Sequence, residues 1–275
     1  NPCTTERVRV EISRVTVLSS KPTWTVPEPP LPTGAVASKI RPSATPRTRN
    51  PGATSSTLLG TASTFLINPE KTTQLDVGAV WNAGKLRASV SGYYAKIRDY
   101  ILIRQINAFA SDARNVNATT LGGEADVSVT LNDTWKANAT LAYVHGNNDT
   151  DGTPLAQLPP LEGRLGLNYD NKVYSAGMLL RLVSEQDRFQ AGYGNIVGQD
   201  IGRTGGYSVF SLNAGYRPKK GTLISGGIDN LFDRNYAEHI SRTGAPAGGI
   251  AGFIADTRVN EPGRNLWVKL NIALD

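Results

Sequence analysis

From about residue 70 to the C-terminus, apolar and polar side chains alternate in one segment after another, and the connections between segments take turns at being short and long. Alternation with a period of two places successive side chains on opposite faces of a strand, so each segment reads as a β-strand with one apolar and one polar face. The segments are 70–82, 85–103, 114–131, 134–146, 161–169, 172–184, 206–217, 221–232 and 264–274. Short connections fall at Asn82-Ala83-Gly84, Asn132-Asp133, Asp170-Asn171 and Pro218-Lys219-Lys220, and long ones near 104–113, 147–160, 185–205 and 233–263. The pattern predicts an all-β antiparallel meander of about nine strands with every long connection at one end.

A soluble sandwich has no reason to sort its loops by length in this way, whereas a transmembrane β-barrel has short turns on one side of the bilayer and long loops on the other. The faces agree. Ala125, Val127, Val129 and Leu131 oppose Glu124, Asp126, Ser128 and Thr130, while Ala137, Ala139 and Leu141 oppose Lys136, Asn138 and Thr140. The stretch LGLNYDNKVYSAGMLLRL at 165–182 is a hairpin with Leu165, Leu167, Tyr169, Tyr174, Ala176, Met178, Leu180 and Leu182 on its apolar face. In the last strand Leu266, Val268, Leu270, Ile272 and Leu274 alternate with Asn265, Trp267, Lys269, Asn271 and Ala273, about the length of a tilted spanning strand. Trp81, Trp135, Tyr169, Tyr174 and Tyr216 each lie within three residues of a short turn, where rings that anchor at a lipid headgroup level belong. Mean hydropathy is nonetheless negative, because only every second strand residue needs to be apolar.

The remaining features bound the answer more loosely. No apolar run approaches the roughly 18 residues of a spanning helix. Lysine and arginine outnumber acidic residues 29 to 23, but many of the basic residues sit in the first fifty positions and form no stripe with aromatics, so a nucleic-acid partner is not expected. A single cysteine, Cys3, rules out an internal disulfide framework and a cysteine zinc site. Residues 19–56 are rich in Pro, Ser, Thr and Arg with no apolar period, and residues 1–60 are expected to be a low-complexity segment, disordered or read out of frame, ahead of a barrel unit over 61–275. RVRVEISRVTVLS, before it, has the alternation of a short strand without an evident neighbour to pair with.

Within the strands, INPEKTTQLDVGAVWNAGKLRASVSGYYAKIRDYI, GGIDNLFDRNYAEH and VNEPGRNLWVKL resemble the C-terminal barrel region of TonB-dependent outer-membrane receptors, over about residues 60–275. PLAQLPPLEGRLGLNY and NYAEHISR are most similar to the copper-receptor branch of that family. The resemblance implies a barrel of about 22 strands around an N-terminal plug, of which this chain is a fragment holding the last nine or so. It further implies a place in the outer membrane of a Gram-negative bacterium, contact with outer-membrane lipid, energy from the TonB complex acting through the plug, and uptake of a metal or metal chelate. Copper is the expected cargo and a siderophore-bound iron the alternative, with a non-functional barrel remnant the remaining possibility; no resident cofactor is expected. Leu270, Ile272 and Leu274 are expected to form the terminal signal read by the outer-membrane insertion machinery, although the chain ends Ala273-Leu274-Asp275 where family members end in an aromatic residue.

Site candidates are sparse. The two histidines, His145 and His239, both fall at strand ends on the long-connection side, and with Glu238 they are the candidate metal ligands; Met178 is excluded by its lipid-facing parity. Asp233, Glu261 and Arg264 lie on neighbouring strands near the C-terminus and are expected to form a polar pair on the lumen wall. NNDTDG at 147–152 imitates the front of a calcium loop but has Leu158 where a bidentate glutamate belongs. No serine elbow, zinc-protease helix motif or phosphate loop occurs, so an enzyme is not expected. A barrel enzyme would have to be built from His145 or His239 with Asp149 or Asp233.

Overall fold

The computed structural model describes residues 7–12, 16–17, 67–107, 110–194, 200–241 and 258–273. It is all-β. The strands are β1 Arg7–Ile12, β2 Thr16–Val17, β3 Lys71–Ala83, β4 Leu86–Asn107, β5 Ala110–Thr130, β6 Trp135–Asn148, β7 Thr153–Pro154, β8 Glu162–Asp170, β9 Tyr174–Val183, β10 Tyr207–Tyr216, β11 Thr222–Asp229 and β12 Asn265–Ile272. They form one sheet in the order β1-β3-β4-β5-β6-β8-β9-β10-β11-β12, with β2 on β3 and β7 on β6, every pair antiparallel. All nine long segments expected from the alternation are present, each within a few residues of its expected bounds.

Register explains why the alternation was readable. Directly opposed residues in an antiparallel pair share a face, and one apolar row runs unbroken across the sheet through Ala79, Val90, Ala125, Leu141 and Gly163. Farther along, Leu165 opposes Leu180, Leu167 opposes Met178, Met178 opposes Leu212, Leu212 opposes Ile228 and Ile228 opposes Leu266. A slip of one residue anywhere would send this set to the polar face. Met178 is therefore on the apolar face, as its parity predicted.

Two of the short turns share one construction. Asn132 Oδ1 accepts from the backbone N–H groups of Thr134 and Trp135, at 2.9 Å each, and Asn171 Oδ1 accepts from those of Val173 and Tyr174 at 3.1 and 2.7 Å. Each asparagine thus mimics a turn of backbone and leaves an aromatic residue three positions later on the apolar face. The second turn is centred one residue beyond the expected Asp170-Asn171, since β8 keeps Asp170 and Lys172 takes the left-handed conformation at φ 75°.

Two expectations are corrected at the other end and at the N-terminus. The connection near 104–113 is not a long loop: the β4–β5 ladder continues to Asn107 opposite Ala110, past a bulge between Ile97 and Tyr100 where Asp99 sits at φ 58°. The run IRDYILIRQI carries enough branched and aromatic side chains to keep the strand going where a loop was expected. Arg7–Ile12 does have a partner, the β3 stretch from Val77 to Asn82, and Thr16–Val17 pairs with Thr73 and Gln74. The whole of 19–56 lies outside the described residues.

The sheet has no central core. Among the described residues, buried apolar side chains include Ala95, Leu102, Val116, Ala118, Leu155 and Tyr207, all toward the long-connection end. Leu165, Leu182, Leu266 and Val268 on the apolar face remain uncovered. A sheet of this size cannot leave such a face in water and needs an apolar medium against it.

Candidate functional site

At the long-connection end the polar face carries a half-buried cluster of charges. Arg181 on β9 makes two parallel hydrogen bonds to Glu162 on β8, Nε to Oε1 at 2.9 Å and Nη2 to Oε2 at 2.7 Å. Its remaining Nη1 donates to Glu238 Oε1 at 2.7 Å, which draws the connection after β11 down onto the strands. Arg164 adds Nε to Glu162 Oε1 at 2.6 Å. Only 19% of the Arg181 side chain is exposed, and its guanidinium lies 5.5 Å from the Tyr207 ring centroid, with Tyr236 packed on Tyr207 at 4.3 Å. A planar fork held by two carboxylates and an aromatic face is preorganised, and substitution by lysine would not reproduce it.

Above this cluster, Asp200 and His239 bury both side chains completely, with His239 Nε2 facing Asp200 Oδ1 at 3.1 Å, off the line of a well-aligned hydrogen bond. Asp200 Oδ2 accepts the backbone N–H of Gln157 at 3.0 Å and of Gln190 at 3.1 Å. Thr204 Oγ1 lies 2.8 Å from His239 Nδ1, and Arg258 donates Nε to the His239 carbonyl at 2.9 Å and Nη2 to Gly202 O at 2.7 Å. Burial pulls the Arg258 guanidinium below its ordinary value, while Asp200 opposes that shift. This one aspartate ties together the 147–160, 185–205 and 233–263 connections.

Lower on the same face, asparagines lie flat over glycines of the next strand. Asn168 Nδ2 donates to Asn138 Oδ1 at 3.1 Å, and a Cβ at Gly166 would meet that oxygen at 2.5 Å. At Gly177 a Cβ would lie 2.9 Å from Asn213 Nδ2 and 3.0 Å from Asn168 Oδ1. The glycines thus keep the polar wall smooth. Beyond the bulge, Arg104 grips Asp112 through Nε at 3.0 Å and Nη2 at 2.6 Å, and this pairing holds the Asp112 carboxyl below its ordinary value. Burial, with Glu70 second, pushes the Tyr100 phenol up to about 12.

The expected site residues separate. Glu238 and His239 are neighbours in sequence but serve different networks, the first on Arg181 and the second on Asp200. His145 is elsewhere: it opposes Leu121 on the apolar face, with Nδ1 3.4 Å from the Tyr143 hydroxyl. Among the described residues no three His, Cys, Asp or Glu side chains come together as a metal site. Asp233 and Arg264 do adjoin, but the bond between them is from the Arg264 backbone N–H to Asp233 Oδ1 at 2.8 Å, a turn closure where a side-chain pair was expected. Glu261 accepts at 3.5 Å from the Ser241 hydroxyl. In NNDTDG the carboxylates are already used, Asp151 by Arg114 and Asn148, Asp149 by Thr119 at 2.6 Å.

The five aromatics near the short turns share the apolar face. Trp135 packs on Tyr169 with centroids 5.1 Å apart and Tyr174 stacks on Tyr216 at 5.2 Å, while Trp81 opposes Ala88. A second belt, missed in the sequence because it follows no turn, lies near the other end: Tyr94, Tyr143 and Phe210, the last stacked on Phe232 at 6.0 Å. Trp135 and Tyr143 stand eight residue steps apart on β6, about 27 Å of strand. At the usual 35–45° tilt that is roughly 20 Å of the about 25 Å apolar band of a membrane barrel. Leu270 and Ile272 are on the same face of β12, opposite Ile224 and Thr222; Leu274 lies outside the described residues.

Comparison with known proteins agrees. The family model for the TonB dependent receptor-like β-barrel matches residues 27–231. No curated protein matches the sequence. Among solved structures, the copper transporter OprC is 44% identical, with a TM-score of 0.72 over 75% of this chain and 32% of its own. The FrpB iron transporter of Neisseria meningitidis is 16% identical (TM-score 0.55, 75% of this chain, 32% of its own), and the ferric enterobactin receptor PfeA of Pseudomonas aeruginosa, as its G324V mutant, is 19% identical (TM-score 0.57, 74% and 31%). These two share the fold. The chain spans about a third of the length of the structures it matches. With the family model covering well over half of it, the chain belongs to the TonB-dependent receptor β-barrel family, a family of outer-membrane receptors and not of enzymes.

Proposed function

We propose that this chain forms the C-terminal part of the barrel of a TonB-dependent receptor that takes up copper across the outer membrane. One observation carries the choice of cargo: 44% identity with a copper transporter, against 16% and 19% for the iron transporter and the ferric enterobactin receptor. An iron chelate is the second reading, favoured by the broader set of structural relatives. In this proposal the apolar face meets lipid between the two aromatic belts, and the short turns face the periplasm. The polar face lines the lumen, where the smooth Asn–Gly wall receives the plug through which TonB acts. The Arg181–Glu162–Glu238 cluster and the Asp200–His239 pair fix the loops that roof the lumen on the outer side, and the outward row ending in Leu270 and Ile272 is what the insertion machinery reads.

Uptake of radiocopper, compared with uptake of a ferric catecholate, in cells with and without the gene tests the cargo. The proposal expects copper accumulation to fall on deletion and on loss of TonB, and to return with the gene. Loss of ferric-chelate uptake with copper uptake intact would establish the second reading instead.

A further inference from the structure

At the long-connection end the outward row of β3 and β4 stops being apolar and becomes cationic. Leu75 opposes Tyr94 at the upper aromatic belt; one step farther out Thr73 opposes Lys96, and one step beyond that Lys71 opposes Arg98. All three cations share the outward face and are exposed. Like charges directly opposite one another destabilise a sheet, so this arrangement needs a counter-charge. Glu70 Oε1 is engaged by the Ile101 N–H at 2.7 Å, and Asp149 by Thr119, the β5 neighbour of Lys96. Asp99, on the bulge, reaches Lys71 at 4.0 Å and Asn68 at 3.4 Å. Lys96 and Arg98 have no ion-pair partner among the described residues. They stand two residues apart on one face, immediately above Tyr94, at the level where the apolar band gives way to headgroups.

We infer that Lys96 and Arg98, with Lys71 beside them, are a docking surface for the phosphate of a lipid in the outer leaflet. Charge complementarity selects a phosphate, and continuity with the lipid-facing band selects a lipid as its carrier: the acyl chains would run down past Leu75, Tyr94 and Leu121 while the headgroup meets the two cations. The guanidinium of Arg98 supplies a planar fork and the Lys96 ammonium a mobile point charge, a combination suited to a phosphomonoester. The inference rests on the outward assignment of this face in the proposed function.

The test uses the complete receptor, extracted from membranes in mild detergent, and bisphosphorylated lipid A as the probe. Each surface cation contributes enough to lipid attraction that removing both, as K96Q/R98Q, is expected to weaken lipid A retention roughly thirty-fold. K96R/R98K should retain it, and Lys220→Gln, at a short turn, should leave it unchanged. Dephosphorylated lipid A should bind the unaltered protein as weakly as the phosphorylated lipid binds K96Q/R98Q. Unchanged retention in K96Q/R98Q overturns the inference, as does loss of retention in K96R/R98K, or displacement of the lipid by millimolar inorganic phosphate, which would make this a free-anion site. Membrane fractionation separates the two levels: a receptor absent from the outer membrane fails the proposed function, and one present there that ignores the phosphate fails only this inference.

Discussion

The short-turn end and the long-connection end of this sheet are built on different principles. At the short turns contacts stay within one turn or pass to its neighbour: Asn132 and Asn171 cap their own turns, Trp135–Tyr169 and Tyr174–Tyr216 pack between adjacent strands, and Arg217 grips Asp170 in the neighbouring turn. At the other end the deciding contacts join the long connections to one another and to strands they do not flank, such as Arg181 on β9 with Glu238 after β11, and Gln157 after β6 with Asp200 after β9. A periodic strand and a turn motif can specify the first end independently of everything else. The second exists only once several connections have folded over the lumen together.

That difference is open to attack, beginning where the effect is largest. Asp200→Ala removes the buried carboxyl that accepts two backbone N–H groups and faces His239, and is expected to cost about 1–3 kcal/mol locally for each donor left unpaired. Limited proteolysis should then cut the 185–205 and 233–263 connections while the strands below stay protected. Glu238→Gln weakens one arm of the Arg181 fork and should cost about 1.5–3 kcal/mol. Its signature is release of the segment after β11, read by cysteine labelling at Ala237, with the Arg181–Glu162 pair retained. Tyr174→Ala removes the stack on Tyr216 at the short-turn end, worth about 0.5–1.5 kcal/mol beyond its buried area. The loss should appear in global denaturant unfolding in lipid and leave loop proteolysis unaltered. If Asp200→Ala lowered global stability and left the loops protected, the proposed division between the ends would be wrong.

The smallest effect concerns pH. Because Arg104 holds the Asp112 carboxyl below its ordinary value, the pair stabilises the outer end of the β4–β5 ladder above the usual carboxylate range near pH 4, and that contribution disappears as pH falls through the lowered value. Spin labels at the opposed positions Gln105 and Ser111 should hold a narrow distance distribution at neutral pH and broaden only in acid. Broadening near neutral pH would show that something else titrates there.

What could be read in the sequence follows the same boundary. The nine long strands and their sidedness were legible because residues such as Ala137, Ala139 and Leu141 repeat a local rule that register then preserves across the sheet. The lower aromatic belt was legible because it is tied to turns. Tyr94, Tyr143 and Phe210 follow no such marker and emerge only from strand pairing. His145 was grouped with His239 because both are histidines on one side, yet parity counted along β6 from Ala137 would already have put His145 outward. The outer hairpin near 104–113 was taken for a loop because the bulge at Asp99 shifts the alternation by one residue. Asp200 and Arg258 carried no local signal at all, since a charge in a loop looks the same whether or not a distant partner buries it.

The central claim is that one face of this sheet meets lipid and the other a wet lumen. Single cysteines from Lys136 to Leu141, each carrying a fluorophore in the membrane-inserted receptor, test it most directly. Labels at Ala137, Ala139 and Leu141 should be quenched by a lipid-confined quencher and those at Lys136, Asn138 and Thr140 by a water-soluble one, in strict alternation. Equal quenching at all six positions by the aqueous reagent would contradict the account.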